Sequence, residues 1–228
     1  MSRIDIGLVG VGSMGQALAH LVQQQSNAVH FSSLFDPNEK AVNRAVSLLN
    51  FSGDVCSADH EVLESACSWV MIASWNCFHA RQAIAAFEAG KNVFCQKPLA
   101  TTFADRLAMR DAWRKSGKQF VIGFTLRYSP HYRRMKELVE SGAIGEVVSV
   151  DLTETLDFNH GGYIMGDWRR RRENAGSHVL EKCCHDIDIL NWLLDARASR
   201  VASFGGLSFF SSGERLTHGP DRRQRSGT

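Results

Sequence analysis

The chain contains no CxxC pair, only four prolines, no long apolar run and almost no net charge. Each absence excludes something. Without paired cysteines at ligand spacing, a structural zinc site is not expected, and no metal is assigned. Cys56, Cys67, Cys77, Cys95, Cys183 and Cys184 read instead as buried, reduced thiols of a cytoplasmic protein. The longest charge-free apolar stretch, Ala66 to Phe78, is broken by Ser68, Ser74 and Asn76 and is too short to span a bilayer. Asp5 interrupts the first apolar run and a glycine loop follows at once, unlike a signal peptide. Lys plus Arg is 26 against 24 for Asp plus Glu, a balance that argues against nucleic acid or membrane partners. Apolar side chains are also missing from the end: between Ser211 and Thr228 only Leu216 is large and apolar. Residues 211–228 are therefore expected to be a disordered polar tail.

What remains is an ordinary globular composition of 228 residues, 44% hydrophobic, enough for one large domain or two small ones. The first part alternates strand and helix. Ile4 to Val9, Val29 to Phe35, Trp69 to Ala73, Asn92 to Cys95 and Phe120 to Gly123 are short apolar runs. Between them apolar residues recur at helical spacing, as at Ala80, Ala83, Ile84 and Phe87. Such strands imply a doubly wound α/β fold with a parallel sheet covered on both faces. After Gly123 the pattern changes. A helix around Tyr132 to Val139, an alternating strand over Val147 to Thr155, a basic loop from Tyr163 to Ala175, a helix from Ser177 to Leu194 and a strand over Val201 to Phe210 are expected. The domain division is placed at 1–123, 124–210 and the tail.

Gly10-Val11-Gly12-Ser13-Met14-Gly15 matches GxGxxG between a predicted strand and helix. Gly10 permits the tight turn, Gly12 lets the backbone approach a pyrophosphate, and Gly15 lets helix and strand pack closely. Ser13 and Met14 carry the helix-terminal N–H groups that face phosphate. Asp36 ends the second strand, 21 residues beyond Gly15. A carboxylate there accepts ribose hydroxyls of NAD and repels the extra phosphate of NADP, so NAD is the expected cofactor. The competing reading makes Asp36-Pro37-Asn38 only a turn and helix cap.

Three further segments acquire meaning together: Ala73-Ser74-Trp75-Asn76-Cys77-Phe78-His79, Cys95-Gln96-Lys97-Pro98-Leu99 and Gly123-Phe124-Thr125-Leu126-Arg127-Tyr128. With the glycine loop, and with Gly142 to Val147, their order resembles the Gfo/Idh/MocA family of oxidoreductases over residues 4 to about 210. The resemblance implies an incomplete second α+β domain with an open, mainly antiparallel sheet, continued further in family chains. The end of this chain is thus expected to be a truncation or frameshift. It also implies assembly of a homo-oligomer through that sheet. The resemblance makes Lys97 the catalytic lysine and maps the family's acid–histidine pair onto Glu181 and His185. It departs from the pattern at Gln96, where the family has Glu, and at Glu181, where it has Asp.

The residues support those roles on physical grounds. Lys97 lies where a parallel strand ends, the edge at which open α/β sheets bind ligands. Its ammonium can stabilise a developing alkoxide. Glu181 and His185 are four apart and would share one helix face, with the acid orienting the base. An exposed helical pair is the alternative. Leu180, Cys184, Ile187, Asn191 and Leu194 would form the apolar stripe beside them. Ser74, Asn76, His79 and Gln96 are placed near the cofactor, although Asn76 could equally cap a helix. Arg127, Tyr128 and Trp168 are placed near the substrate, although the run Arg169 to Arg172 could be a solvated loop. The expected activity is hydride transfer between a sugar, polyol or related small molecule and NAD. The alternatives are a non-catalytic dinucleotide-binding protein, or a relative using NAD transiently for elimination or glycoside cleavage.

Overall fold

A computed structural model of the chain describes residues 3–206. Its centre is one parallel sheet of β1 (Ile4–Val9), β2 (Val29–Phe35), β3 (Asp54–Val55), β4 (Trp69–Ile72), β5 (Asn92–Cys95) and β6 (Phe120–Ile122), in the order β3-β2-β1-β4-β5-β6. Successive strand residues point to opposite faces. Leu8, Phe31, Leu34 and Met71 pack under α1 (Ser13–Gln25) and α2 (Glu39–Leu49). Val9, Val70, Ile72 and Val93 pack on the other face under α3 (Asp59–Glu64), α4 (Asn76–Glu88) and α5 (Phe103–Ser116). This two-sided burial is why the central strands are largely apolar.

Strand order reverses between β1 and β4, which pair through Val9 and Ile72. The connections from these strands depart to opposite faces and leave a crevice at their carboxyl ends. Gly10 turns there with φ +87°, and a Cβ on it would strike the backbone of Ser74. A Cβ on Gly15 would overlap the carbonyl oxygen of Gly10, so α1 and β1 meet backbone to backbone. Gly12 is different: a Cβ there would meet nothing within 4 Å.

Beyond β6 the chain forms a 3-10 turn (Thr125–Tyr128), α6 (Pro130–Glu140), α7 (Phe158–Met165), a second 3-10 turn (Trp168–Arg170), α8 (Arg172–Ala175), α9 (His178–Glu181) and α10 (Cys184–Leu194). No described helix is long and apolar enough to cross a membrane. The chain forms one compact unit through Asp195. From Ala196 onward the described residues carry no regular structure.

The structure corrects several expectations. Residues 147–155 form no strand, and Val148 is 94% exposed. An alternating pattern without a neighbouring strand has no ladder to satisfy its backbone. No strand of the expected antiparallel sheet occurs among the described residues, and 201–206 is likewise unpaired. The rest of that expected strand, and the tail at 211–228, lie outside the described residues. The expected loop from Tyr163 to Ala175 is largely helical turns. The expected helix from Ser177 to Leu194 is broken at Lys182 and Cys183, although Ser177 does cap it through the Leu180 N–H. Its buried residues include Ile189 and Leu193, whereas Ile187 of the expected stripe is half exposed. Of the cysteines, only Cys67 and Cys95 are buried.

The two glycines separate fold from site. Gly15→Ala should lower the urea midpoint by the equivalent of about 2 kcal/mol. Gly12→Ala should leave that midpoint unchanged. Equal midpoints for the two variants would contradict this packing of α1 on β1.

Candidate active site

Two adjoining cavities open at the crevice. The larger, about 590 Å³, lies over the ends of β1 and β2 and is lined by Gly10, Gly12, Asp36, Pro37, Asn38, Arg44, Phe78 and others. The smaller, about 260 Å³, is lined by Ser13, Met14, His79, Gln96, Lys97, Trp168, Arg169 and Glu181 among others. Gly12, Asp36, Ser74 and Trp75 line both and join them into one cleft.

The side of the cleft at the β1 turn presents unpaired backbone donors. α1 begins with no side-chain cap and no acidic residue in its first turn, so its N–H groups and dipole face the cleft unspent. Gly12 leaves open space beside them. Asp36 accepts from the Val11 N–H at 2.9 Å through one oxygen and from the Asn38 N–H at 2.9 Å through the other. Asn38 in turn caps α2. The turn-and-cap reading is therefore realised, and it fixes the carboxylate at the rim of both cavities. Ser74 donates to Gln82 at 2.6 Å, and Gln82 donates to Asp59 at 2.8 Å.

At the other end one interaction organises the site. The Lys97 ammonium donates to the main-chain oxygen of Glu181 at 2.7 Å. That oxygen would otherwise accept from the His185 N–H, which bonds to Lys182 at 3.2 Å instead. A side chain inserted into the helical ladder breaks it, which accounts for the interruption between α9 and α10. The Glu181 carboxylate is buried. It accepts from Asn76 at 2.8 Å and lies 3.6 Å from Lys97 and 3.8 Å from Arg169. Asn76 also donates to the Ala175 oxygen at 3.0 Å. Asn76 is thus the first residue of α4 rather than its cap, and its amide ties α4 to α8 and α9.

Gln96 is buried, and its oxygen accepts from the Lys97 N–H at 3.2 Å. A Cβ on Gly123 would stand 2.9 Å from that oxygen, so the close approach needs glycine. The Gln96 amide nitrogen has no partner and sits in a cleft-lining side chain. An orphaned donor here, open space at Gly12 and an uncapped helix are what a dinucleotide would satisfy. The donor set fits NAD.

His79 lines the cleft, but both ring nitrogens face backbone carbonyls. His185 does not line the smaller cavity, and no hydrogen bond joins it to Glu181 among the described residues. Its Nδ1 is buried and unpartnered. Burial first, then the charges of Lys97 and Lys182, hold its pKa down at about 4. Arg127 does not reach the cleft either. It forms a bidentate pair with Asp188 that holds α10 to the first 3-10 turn, and Tyr128 is largely exposed. Trp168 does line the cleft, stacked on Trp75 at 5.1 Å. Arg169 lies between the rings of Tyr163 and Trp168, at 4.0 and 4.2 Å. The role of Trp75 and the special burial of Arg169 within its arginine run were not read from the sequence. The one available signal was that Tyr163 and Trp168 precede the run.

Comparison with known proteins agrees with this architecture. Residues 4–124 match the model described as the oxidoreductase family GFO_IDH_MocA, NAD-binding Rossmann fold, and residues 132–215 match the GFO/IDH/MocA C-terminal domain. The chain is similar to inositol 2-dehydrogenase 3 of Saccharopolyspora erythraea, 31% identical over 84% of this chain and 54% of that protein. It is also similar to 2,7-anhydro-N-acetylneuraminate hydratase of Escherichia coli, 28% identical over 89% and 53%. The crystal structure of scyllo-inositol dehydrogenase from Lactobacillus casei with bound NAD(H) and scyllo-inositol superposes with a TM-score of 0.73 at 24% identity, covering 85% of this chain and 57% of that one. The chain spans about half the length of the curated relatives it matches. It belongs to the GFO/IDH/MocA oxidoreductase family, and its first part is the family's NAD-binding Rossmann fold.

His185 makes a pH prediction. Its pKa is about 4 in the folded chain and near the free value of about 6.5 when unfolded. Between these values the unfolded chain holds the extra proton, so stability falls as pH drops through this window and levels below it. Urea unfolding across the window should show that loss in the wild type and a shallower one in His185→Gln. Parallel profiles would overturn the assignment.

Proposed function

We propose that this chain, as a member of that family, binds NAD across the joined cavities and transfers hydride between it and a hydroxyl-bearing small molecule of the sugar or polyol class. The observation that carries the reading is Lys97, held beside Glu181 at the end of β5 where the cleft narrows. The naming of relatives as inositol dehydrogenases supports the substrate class. The two family matches meet between residues 124 and 132, which supports a cofactor domain at 1–123 followed by a partial substrate domain.

When bound, the nicotinamide would supply the hydride acceptor. The first turn of α1 and Gly12 would hold the pyrophosphate, Asp36 the ribose hydroxyls, and Gln96 would donate its free amide proton. Lys97 carries three donors, and one is spent on the Glu181 oxygen. Another can meet the substrate hydroxyl oxygen and stabilise negative charge that develops there. Glu181 and Arg169 hold that ammonium's surroundings close to neutral, with Asp167 paired to Arg169 at 3.1 Å. A neutral, polyhydroxylated substrate suits that balance. The hydroxyl proton leaves to solvent through the open cleft, because His185 stands outside the cavity lining with its pKa held down at about 4 and is not placed to receive it.

A second reading has one observation in its favour: a similar chain carries the name of a hydratase. In that reading the same residues use NAD transiently, with no net reduction.

The test is absorbance of NADH formed over a panel of inositols and sugars, with NAD binding measured separately. Lys97→Met should lower turnover at least about a hundredfold while NAD affinity stays within about threefold. Gly12→Ala should do the reverse and weaken NAD binding most. Unchanged turnover in Lys97→Met would overturn the mechanism. Substrate consumption without net NADH would select the second reading.

A further inference from the structure

His79 is 1% exposed beneath the cleft. Its Nδ1 lies 2.7 Å from the Pro98 oxygen and its Nε2 3.0 Å from the Ser74 oxygen. A carbonyl oxygen only accepts, and a neutral imidazole has one N–H. One proton therefore serves two acceptors. The nitrogen without it turns a lone pair toward an oxygen in a water-free setting, where an unmade hydrogen bond is costly.

The two acceptors belong to the segments that follow the neighbouring strands β4 and β5. Ser74 follows β4 and packs against Gly10 at the phosphate end. Pro98 follows Lys97 directly. The charged groups that reach the ring are Glu181 of α9, which favours an imidazolium, and Lys97 at the end of β5, which opposes it. Burial outweighs both and holds the pKa below the ordinary imidazole value. At neutral pH the ring thus carries one proton, and the shorter contact places it on Nδ1, donated to Pro98.

We propose that His79 is a positioning residue that clasps the glycine-loop side of the cleft to the lysine side, through one hydrogen bond when neutral and through two when solvent supplies a second proton to Nε2. Gating of dinucleotide affinity by this clasp rests on the cleft being the NAD site. The protonation pattern of the ring does not.

The experiment tracks both. In the full chain labelled with 15N at histidine, NMR at pH of about 8 should show Nδ1 protonated and Nε2 bare. The second proton should arrive with a midpoint below about 6.5. NAD affinity, read by tryptophan fluorescence, should tighten roughly threefold as that proton binds, the low end of one added hydrogen bond. His79→Asn keeps a donor for Pro98 but cannot take the proton. Whatever its affinity at high pH, it should lose the pH response of NAD binding. A proton on Nε2 at high pH would overturn the proposal. So would the same pH response in wild type and His79→Asn. If NAD fails to bind at all, the cofactor reading fails while the ring titration still decides the clasp.

Discussion

A single helical carbonyl given up to a lysine shapes the end of the described helices and the floor of the cleft. The Lys97 ammonium takes the Glu181 oxygen, and the helix that would run from His178 to Leu194 breaks into α9 and α10. The break turns the Glu181 carboxylate away from His185 and toward Asn76 and Arg169. A buried carboxylate is tolerated only when it is paired and hydrogen-bonded. Asn76 meets that requirement, with Lys97 and Arg169 close by. Removing the acid would take one partner each from Asn76, Lys97 and Arg169, which come from three different segments. The narrow end of the cleft and the contact between the Rossmann fold and the later helices are thus one structure.

The same arrangement supports the proposed use of the cleft by a cofactor and a substrate together. Parallel strands end at one edge, and the reversal of strand order leaves room there for an extended ligand. The end at the β1 turn offers backbone alone, from the uncapped first turn of α1 and the turn at Gly10. The opposite end uses charged side chains in balanced pairs, Lys97 with Glu181 and Arg169 with Asp167. Between them the Trp75–Trp168 stack joins the α4 terminus to the second 3-10 turn. Aromatic pairs of this kind add about 1 kcal/mol beyond the area they bury.

Legibility in the sequence tracked the range of the forces involved. The parallel sheet was readable because its central strands are largely apolar, and Gly10 and Gly15 of the turn each answer a local steric demand. Lys97, Gln96 and Asp36 were placed by strand ends, which are local features. The Glu181–His185 pairing was misread, because i,i+4 spacing assumes an unbroken ladder. The lysine that breaks it lies 84 residues away. Arg127 was assigned by its nearness to the domain junction, yet its partner Asp188 is 61 residues distant. The strand at 147–155 carried the right alternation but had no partner to pair with among the described residues. Period alone reports which side chains could be buried, not what covers them.

The central claim is that the Glu181 carboxylate couples energetically to the start of α4. A double-mutant cycle between Asn76→Ala and Glu181→Ala, read by urea unfolding of the single and double variants, measures that coupling. A hydrogen bond to a buried charge predicts a coupling of about 2 kcal/mol, with the second substitution costing much less once the first is made. Strict additivity of the two losses would contradict the account.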